Sequence, residues 1–352
     1  MLVQILATIL DAAQAVSPAP AAPAPVAPPA AFGGSPALWI AFGALVLGVI
    51  YVDLFVLHRK ERHVSLREAA VTGSAFVMLA LTFGAVVAWK LGRTSALDFL
   101  TGYVVELSLS FDNLFVFLVL FRFFGVEKRH QHRVLFWGIL GALVLRAVFI
   151  AVGSALLNRF EWLLYLFGIF LVFTGVKLLS DKHVQIDPER NLVLRLARRL
   201  LPVTSTPPEG RFFLIENGRR CATTLFLCLL CVEASDVVFA VDSIPAIFGI
   251  TRDPFVVYTS NVFAVLGLRS FYALLAILMA AFRYLNVGLA VVLIFIGAKM
   301  LSAELLEERF GFHVGPGLSL GIVFLTLATA IAASLLRRAP PSDPERGVDA
   351  PR

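Results

Sequence analysis

Two stretches of this chain place acidic and amide side chains inside otherwise apolar segments, where a charged group is expensive. Residues 106–113 have the sequence Glu-Leu-Ser-Leu-Ser-Phe-Asp-Asn, and residues 233–243 have the sequence Glu-Ala-Ser-Asp-Val-Val-Phe-Ala-Val-Asp-Ser. A carboxylate costs roughly 2.5–3.5 kcal/mol to insert at the centre of a bilayer on insertion scales. Five carboxylates in two such segments therefore indicate a function, and clustered oxygen donors in a membrane are suited to holding a cation.

Helical spacing arranges the first stretch into two polar faces. Ser108 and Asp112 are four residues apart and share one face, whereas Glu106, Ser110 and Asn113 follow another face at intervals of four and three. An unbroken helix would set Glu106 and Asp112 about 120° apart. Both faces present oxygen ligands, so the segment is a candidate wall of a cation site.

The second stretch adds a proline to its acidic residues. Glu233 and Asp236 are three residues apart, and Ser243 lies further along the same side. Asp242 comes three residues before Pro245, and a proline inside a helix removes a backbone donor and kinks the chain just before it. We expect local unwinding here, which would free carbonyl oxygens to join Asp242 in coordination.

The ligand types narrow the choice of metal. Carboxylate, amide, hydroxyl and carbonyl oxygens suit hard divalent cations such as Mn²⁺, Mg²⁺ or Ca²⁺. The six histidines all lie in predicted loops or at span ends, which argues against a Zn, Cu or Ni site. The cysteines Cys221, Cys228 and Cys231 would form one helical stripe suited to a soft metal, but we favour buried small hydrophobic residues.

Further polar side chains either line a pathway or form hydrogen bonds between helices. The pathway candidates are Ser108, Ser110, Ser235, Ser243, Tyr258 and Asn261. Asp53, near the inner end of the first apolar span, is either an exit ligand or a carboxylate solvated at the interface.

Four basic residues accompany the acids inside apolar segments. Arg146 and Arg269 are deep and need partners, whereas Lys177 and Lys299 can extend to the interface. If acids and arginines only neutralised one another, three of the five acids would remain unpaired. We therefore expect some acids to pair with arginine and the rest to bind cations or protons. These four residues would balance charge and gate the site, and the arginines could occupy the cation position when it is empty.

The composition is that of an integral membrane protein. Of 352 residues, 59% are hydrophobic and only 15% are charged, with a mean hydropathy of +0.86; soluble domains have about 25% charged residues. About 20 apolar residues cross the hydrocarbon core. The sequence contains nine such spans, at 37–57, 69–91, 99–122, 134–156, 161–180, 221–248, 255–280, 284–302 and 316–336.

The basic residues predict how these spans are oriented. With the N-terminus outside, inner segments hold 21 Lys and Arg and outer segments hold five. This bias predicts an N-out, C-in topology. The topology is thus the first explanation of the net charge of +6, and contact of basic residues with anionic membrane lipids is the second. Nucleic acid is not an expected partner.

The chain also contains two similar halves. When Asp112 is aligned with Asp236, Arg146 falls beside Arg269 and Lys177 beside Lys299, at offsets of 122 to 124. Each copy (99–180 and 221–302) holds three spans, and an odd number of spans makes the second copy inverted. Inverted repeats in transporters place the substrate between them near the midplane. The predicted fold is therefore all-α and polytopic, with about nine transmembrane helices and two inverted three-helix repeats inside a transporter domain, 37–336.

Three segments flank or interrupt this domain. Residues 1–36 form an extracytoplasmic Ala/Pro-rich segment, whose first 16 residues are either a cleaved signal peptide or part of the mature chain. The cytoplasmic loop 181–220 contains a predicted basic amphipathic helix, Pro188–Leu200, suited to the inner membrane surface and a possible site for protein partners. Residues 337–352 are predicted to be a disordered cytoplasmic tail.

The acidic runs at 106–116 and 233–246, together with Tyr258-Thr-Ser-Asn261-Val-Phe-Ala-Val-Leu-Gly-Leu-Arg269, resemble the TerC family of bacterial membrane proteins. The resemblance covers about residues 37–336. The family is named for tellurium resistance, and its Alx-like members are associated with manganese export. The resemblance therefore implies an exporter, with Glu106, Asp112, Asp236 and Asp242 as acidic transport residues and Asn113 beside them.

We accordingly expect an inner-membrane exporter of a divalent cation, foremost Mn²⁺, with proton exchange as a possible driving force. Asp112, Asp236 and Asp242 would coordinate the ion, helped by Glu106, Glu233 and Asn113. The ion is substrate, and no cofactor is expected. The alternatives are a membrane scaffold for tellurite resistance or membrane-protein assembly, and a tellurite transporter that uses Arg146 and Arg269. No nucleophile–base pair or phosphate loop suggests an enzyme.

Overall fold

The computed structural model describes residues 34–52, 66–180, 192–204, 210–216, 218–278, 284–310 and 314–336. Within these ranges the chain is mostly helical, and each of the nine apolar segments corresponds to a helix. The helices are α1 (Pro36–Val52), α2 (Leu66–Leu91), α3 (Arg93–Phe123), α4 (Lys128–Arg159), α5 (Leu163–Ser180), α6 (Leu192–Leu200), α7 (Thr224–Phe248), α8 (Pro254–Leu278), α9 (Leu285–Phe310) and α10 (Pro316–Leu336). Two strands, β1 (Phe213–Glu216) and β2 (Arg219–Ala222), precede α7.

Several of these helices have the dimensions of membrane spans. In the described ranges, six of them contain an apolar stretch long enough to cross a bilayer, namely α2, α3, α4, α7, α9 and α10. The helices α1 and α5 are apolar but shorter. The protein is therefore an integral, multi-pass membrane protein, and a count of nine crossings stays a prediction.

Glycines at positive φ set the limits of α3, the helix that carries the first acidic stretch. Gly92, at φ 95°, separates α2 from α3, and Gly125, at φ 61°, follows its C-terminal end. Residues with a side chain rarely adopt such angles, so glycine allows the chain to reverse within a few residues. The acidic stretch thereby lies in the middle of a helix of 31 residues.

Three helix pairs form the centre of the bundle: α3 with α8, α4 with α7, and α5 with α9. Glycines allow the third pair to approach closely. A Cβ on Gly297 would lie 2.7 Å from the carbonyl oxygen of Gly168, and one on Gly175 would lie 2.8 Å from that of Ala290. Backbones in contact at such positions are typical of membrane helices that pack through small residues.

The segment between α5 and α7 contains a β-hairpin that the sequence reasoning missed. Strands β1 and β2 pair antiparallel, with Phe213 opposite Ala222 and Glu216 opposite Arg219. The hairpin leads into α7, where Thr223 caps the helix by accepting a hydrogen bond from the Phe226 amide at 3.4 Å. Cys221 therefore belongs to β2 rather than to the sixth span, so the three cysteines do not form one helical stripe. Cys228 and Cys231 are buried in α7.

The amphipathic helix predicted in the connecting loop is confirmed over Leu192–Leu200, and its predicted start at Pro188 lies outside the described residues. Leu194 and Ala197 are buried in the core cluster that includes residues of α7. Leu196 and Leu200 are exposed, next to exposed Arg195 and Arg199. The helix therefore packs on the bundle through one face and presents apolar and basic side chains on another. Residues 1–33 of the predicted N-terminal segment 1–36 and the whole predicted tail 337–352 lie outside the described ranges.

Candidate functional site

A buried arginine joins four helices of the two predicted repeats. Arg146, on α4, has no exposed surface. Its Nη1 donates hydrogen bonds to Oε1 of Glu106 on α3 and, at 3.1 Å, to Oδ1 of Asn261 on α8. Its Nη2 donates to Oδ1 of Asp236 on α7 at 3.1 Å, and its Nε donates to Oδ2 of the same carboxylate at 3.4 Å. Four N–H···O contacts from one guanidinium therefore connect α3, α4, α7 and α8.

The two-point contact with Asp236 is characteristic of the arginine fork. A planar guanidinium matches the two oxygens of a carboxylate and remains charged at any physiological pH. Burying such a charge is tolerable only when anionic partners surround it. Two carboxylates against one guanidinium leave the group formed by Glu106, Asp236 and Arg146 with a formal charge of −1 when both acids are ionised.

Several polar atoms on α3, α7 and α8, the helices that supply the partners of Arg146, have no hydrogen-bond partner among the residues that the structure describes. They are the second carboxylate oxygen of Glu106 (Oε2), the amide nitrogen of Asn261 (Nδ2) and the hydroxyls of Ser110 and Ser243. All four residues are at least 98% buried. An unmet buried polar group costs about 1–3 kcal/mol, so each of these atoms indicates a place where a ligand or water can complete the bonding.

Glu233 lies one helical turn from Asp236 and is seated against the backbone of α4. Gly141 faces it, and a Cβ at that position would overlap both carboxylate oxygens of Glu233. Gly138, one turn earlier, is equally tight, because a Cβ there would lie 2.9 Å from Cγ1 of Val232. The small-residue spacing at 138 and 141 thus permits close packing of α4 on α7, and it also makes room for a half-buried acid.

The predicted serines divide into two kinds. Ser108 donates to the carbonyl oxygen of Val104 at 2.7 Å, and Ser235 donates to that of Cys231 at 2.8 Å. Both hydroxyls are thereby satisfied by their own helix. Ser110 and Ser243, which lack such bonds within the described chain, are the better candidates for ligand contact.

Asp242 lies away from the guanidinium. It is half-buried and forms no ion pair with another residue that the structure describes; the charged neighbour close enough to interact electrostatically is Lys177. The unwinding expected before Pro245 is not present, because α7 continues through it to Phe248. The proline lies in the last turn, where its missing N–H removes only one intrahelical bond. Beside Asp242, only the carbonyl of Val241 loses its intrahelical donor in this way.

The remaining predicted residues are dispersed. Lys177 is exposed, whereas Lys299 donates to the hydroxyl of Ser319 on α10 at 3.1 Å. Tyr258 stacks on Trp39 with ring centroids 5.8 Å apart, so it belongs to an aromatic cluster between α1 and α8. Arg269 is 8% exposed and lines an apolar cleft with residues of α1, α2 and α4. Asn113 is buried on α3.

Two predicted ligands lie outside what the structure describes: Asp53, and the side chain of Asp112. Among the residues that remain, no group of three or more His, Cys, Asp or Glu side chains is arranged to hold a metal ion. The sequence reasoning also missed Asp98, which is only 9% exposed on α3 and within electrostatic range of Lys299. Its position one residue before a predicted span was the signal that could have identified it.

Comparisons with known proteins place the chain in a family. The model of the integral membrane protein TerC family matches residues 91–341. An uncharacterized membrane protein of Myxococcus xanthus is 49% identical over 321 residues, which is 91% of this chain and 98% of that protein. Alx of Salmonella typhi, provisionally named a membrane-bound redox modulator, is 45% identical over 309 residues, covering 85% of this chain and 94% of Alx.

A more distant relative is an uncharacterized membrane protein of Rickettsia bellii, 36% identical over 85% of this chain and 97% of its own length. No solved structure matches. The family match includes all four residues of the guanidinium contact network. The chain is a member of the TerC family of integral membrane proteins.

Proposed function

We propose that this protein exports a divalent metal cation, with Mn²⁺ as the foremost substrate. The observation that carries the proposal is the buried, net negative group of Glu106, Asp236 and Arg146, together with unpartnered polar atoms on the helices that supply its partners. Hard divalent cations prefer six or more oxygen ligands from carboxylates, amides and hydroxyls. Glu106, Asp236, Asn261, Ser110 and Ser243 offer these ligand types from three helices, and Glu233 is one turn away.

The arrangement of helices supports two repeats that face each other across this site. Exchanging the repeats converts the α3–α8 pair into the α7–α4 pair and leaves the α5–α9 pair unchanged, and all three pairs are in contact. The glycine contacts have the same symmetry. Gly168 meets Gly297 and Gly175 meets Ala290, and the repeat offset of 122 relates Gly168 to Ala290 and Gly175 to Gly297, so that exchanging the repeats converts one contact into the other. A two-fold axis in the membrane plane would place the ligands at the repeat interface, as in alternating-access transporters.

The contacts of Arg146 favour a cation over an oxyanion. A guanidinium has five N–H groups, and four N–H···O contacts already join Arg146 to protein oxygens. Few donors remain for tellurite or a similar anion, and the two carboxylates would repel it. Anion transport is therefore the weaker alternative.

A redox role, which the name of Alx suggests for that relative, would require accessible thiols. The three cysteines of this chain are Cys221, Cys228 and Cys231, and all three are buried. Thiol–disulfide exchange depends on exposed thiolates. The positions of these cysteines favour a packing role. We likewise propose that the protein is a transporter without enzymatic activity.

The basic bias of the predicted inner segments supports an N-out, C-in orientation in the bacterial inner membrane. In that orientation α6 and the β-hairpin lie at the cytoplasmic surface. The exposed side chains Arg195, Arg199, Leu196 and Leu200 would then contact anionic lipid headgroups and the acyl boundary. A scaffold function through the 181–220 loop is the second alternative, and it predicts that deletion of this loop abolishes activity.

The test is metal flux into proteoliposomes loaded with a fluorescent chelator. We expect the wild-type protein to take up Mn²⁺. A pH gradient across the membrane should accelerate this uptake when it is imposed in one of its two directions. The substitution Asp236→Asn should abolish uptake, because it removes a ligand and neutralises the site. Glu127→Gln is the matched control, since Glu127 is an exposed carboxylate paired with Arg129 at 2.6 Å. Normal Mn²⁺ flux through Asp236→Asn at wild-type protein levels would disprove the assignment.

A further inference from the structure

The cation that occupies the acidic cluster in this structure is the side chain of Arg146. Its guanidinium contacts both carboxylate oxygens of Asp236, one oxygen of Glu106 and the amide oxygen of Asn261. These are the oxygens that a transported cation would need. The residues come from α3, α7 and α8, and the arginine reaches them from α4.

A metal ion and this guanidinium cannot use these oxygens together. A divalent cation binds carboxylate oxygens at about 2.0–2.6 Å, and it must approach along the directions that the N–H donors now take. Adding a charge of +2 beside Arg146 would also give three positive charges against the two carboxylates Glu106 and Asp236. Because arginine stays protonated in proteins, the conflict cannot be relieved by loss of a proton from Arg146.

We propose that Arg146 is a tethered competitor of the transported cation, which must leave Asp236 and Glu106 before the ion binds and which returns when the ion departs. This inference rests on the proposed transport function and assigns the exchange step of that site. The competitor reduces the formal charge of the two acids from −2 to −1 while the empty site changes its accessibility, so that the empty carrier moves less uncompensated charge through the bilayer. The unpartnered Oε2 of Glu106 is the atom that a cation can contact first, before the guanidinium is displaced.

The proposal predicts opposite effects on binding and turnover. Replacing Arg146 by glutamine removes the competitor, so Mn²⁺ should bind about tenfold more tightly, the size expected for one charge-assisted hydrogen bond. Transport by Arg146→Gln should have a lower KM and a lower kcat, because the ion leaves slowly and the empty site is uncompensated. The control is Arg159→Gln, an exposed arginine at the end of the same helix, which should change neither quantity.

The experiment measures Mn²⁺ binding to the purified full chain in detergent by calorimetry, followed by flux in proteoliposomes. Tighter binding by Arg146→Gln supports the proposal, whereas equal or weaker binding beside a binding wild type overturns it. If Arg146→Gln does not fold, Mn²⁺ binding by Arg146→Lys is measured instead. An ammonium group cannot form the two-point contact with Asp236 and should compete less strongly, so this variant should also bind Mn²⁺ more tightly than the wild type. If the wild type itself neither binds nor transports Mn²⁺, the proposed function fails, and that result is distinct from a failure of the competitor alone.

Discussion

Arg146 and Arg269 align with each other in the two predicted repeats, but Arg146 is fully enclosed whereas Arg269 lines a cleft. Arg146 is fully buried among Glu106, Asp236 and Asn261. Arg269 is 8% exposed and lines a cleft with the apolar side chains of Val49, Phe76, Phe136 and Leu266, among others. The helices α1 and α2, which precede the first predicted repeat, contribute to this cleft, whereas the described residues before the second predicted repeat form the short helix α6 and the β-hairpin.

The two predicted repeats resemble each other in helix packing and differ in what surrounds them. The glycine contacts between α5 and α9 match the two-fold relation predicted for the repeats. The cleft beside Arg269 is lined in addition by α1 and α2, which lie outside the predicted repeats. Substitutions at equivalent positions therefore separate what the repeat fold requires from what one site requires.

The largest difference is expected between the two arginines. Arg146→Gln leaves two buried carboxylates without their cation, and breaking a buried ion pair costs about 3–5 kcal/mol. Arg269 is 8% exposed and lines a cleft, so water can reach its guanidinium more easily, and Arg269→Gln should lower the free energy of unfolding by a smaller amount. Denaturation in mixed detergent micelles measures both values, and equal losses would contradict the asymmetry.

A second substitution tests the position of the Glu233 carboxylate against the backbone of α4. Gly141→Ala places a methyl group where the Glu233 carboxylate lies, and overpacking of this kind costs about 1–3 kcal/mol. We also expect reduced Mn²⁺ flux, since Glu233 must move. The equivalent residue of the second repeat is Ala264, which is buried, so repeat two already tolerates a Cβ.

The matched control for Gly141→Ala is Gly43→Ala, because a Cβ at Gly43 meets no atom within 4 Å. The double variant Gly141→Ala/Glu233→Ala should recover the stability lost by Gly141→Ala. A Gly141→Ala protein with unchanged stability and flux would show that the Glu233 carboxylate has another position available at no cost.

The glycines between α5 and α9 should behave alike. A Cβ on Gly175 would lie 2.7 Å from Cγ1 of Ile294, and a Cβ on Gly297 would lie 2.9 Å from Cγ2 of Val172. Gly175→Ala and Gly297→Ala should each cost about 1–3 kcal/mol in unfolding free energy. Costs that differ by more than twofold would argue against a two-fold axis between these helices.

The lysines should show the smallest effects. Lys299→Met removes the hydrogen bond to Ser319 and should cost about 0.5–1.5 kcal/mol. Lys177 is exposed, so Lys177→Met should leave the melting temperature unchanged. If Lys177→Met is the more damaging of the two, its electrostatic interaction with Asp242 is more important than the geometry indicates.

The sequence alone identified the chain as a helical membrane protein and located its apolar segments to within a few residues. These features follow from hydropathy and from the length that a bilayer requires, which are local properties of the chain. The sequence also selected Glu106, Asp236, Asn261 and Arg146 as candidates, because charged and amide groups are rare inside apolar segments.

Only the tertiary structure decided which candidates meet. Arg146 contacts residues that are 40, 90 and 115 positions away, and no spacing rule relates positions on four different helices. The same limit applies to the stacking of Tyr258 on Trp39, which no spacing within the sequence indicates. The β-hairpin was missed because its strands are only four residues long, too short to show an alternating pattern. The sequence determines which side chains are charged or polar, but the packing of the helices determines which partner each charged side chain has.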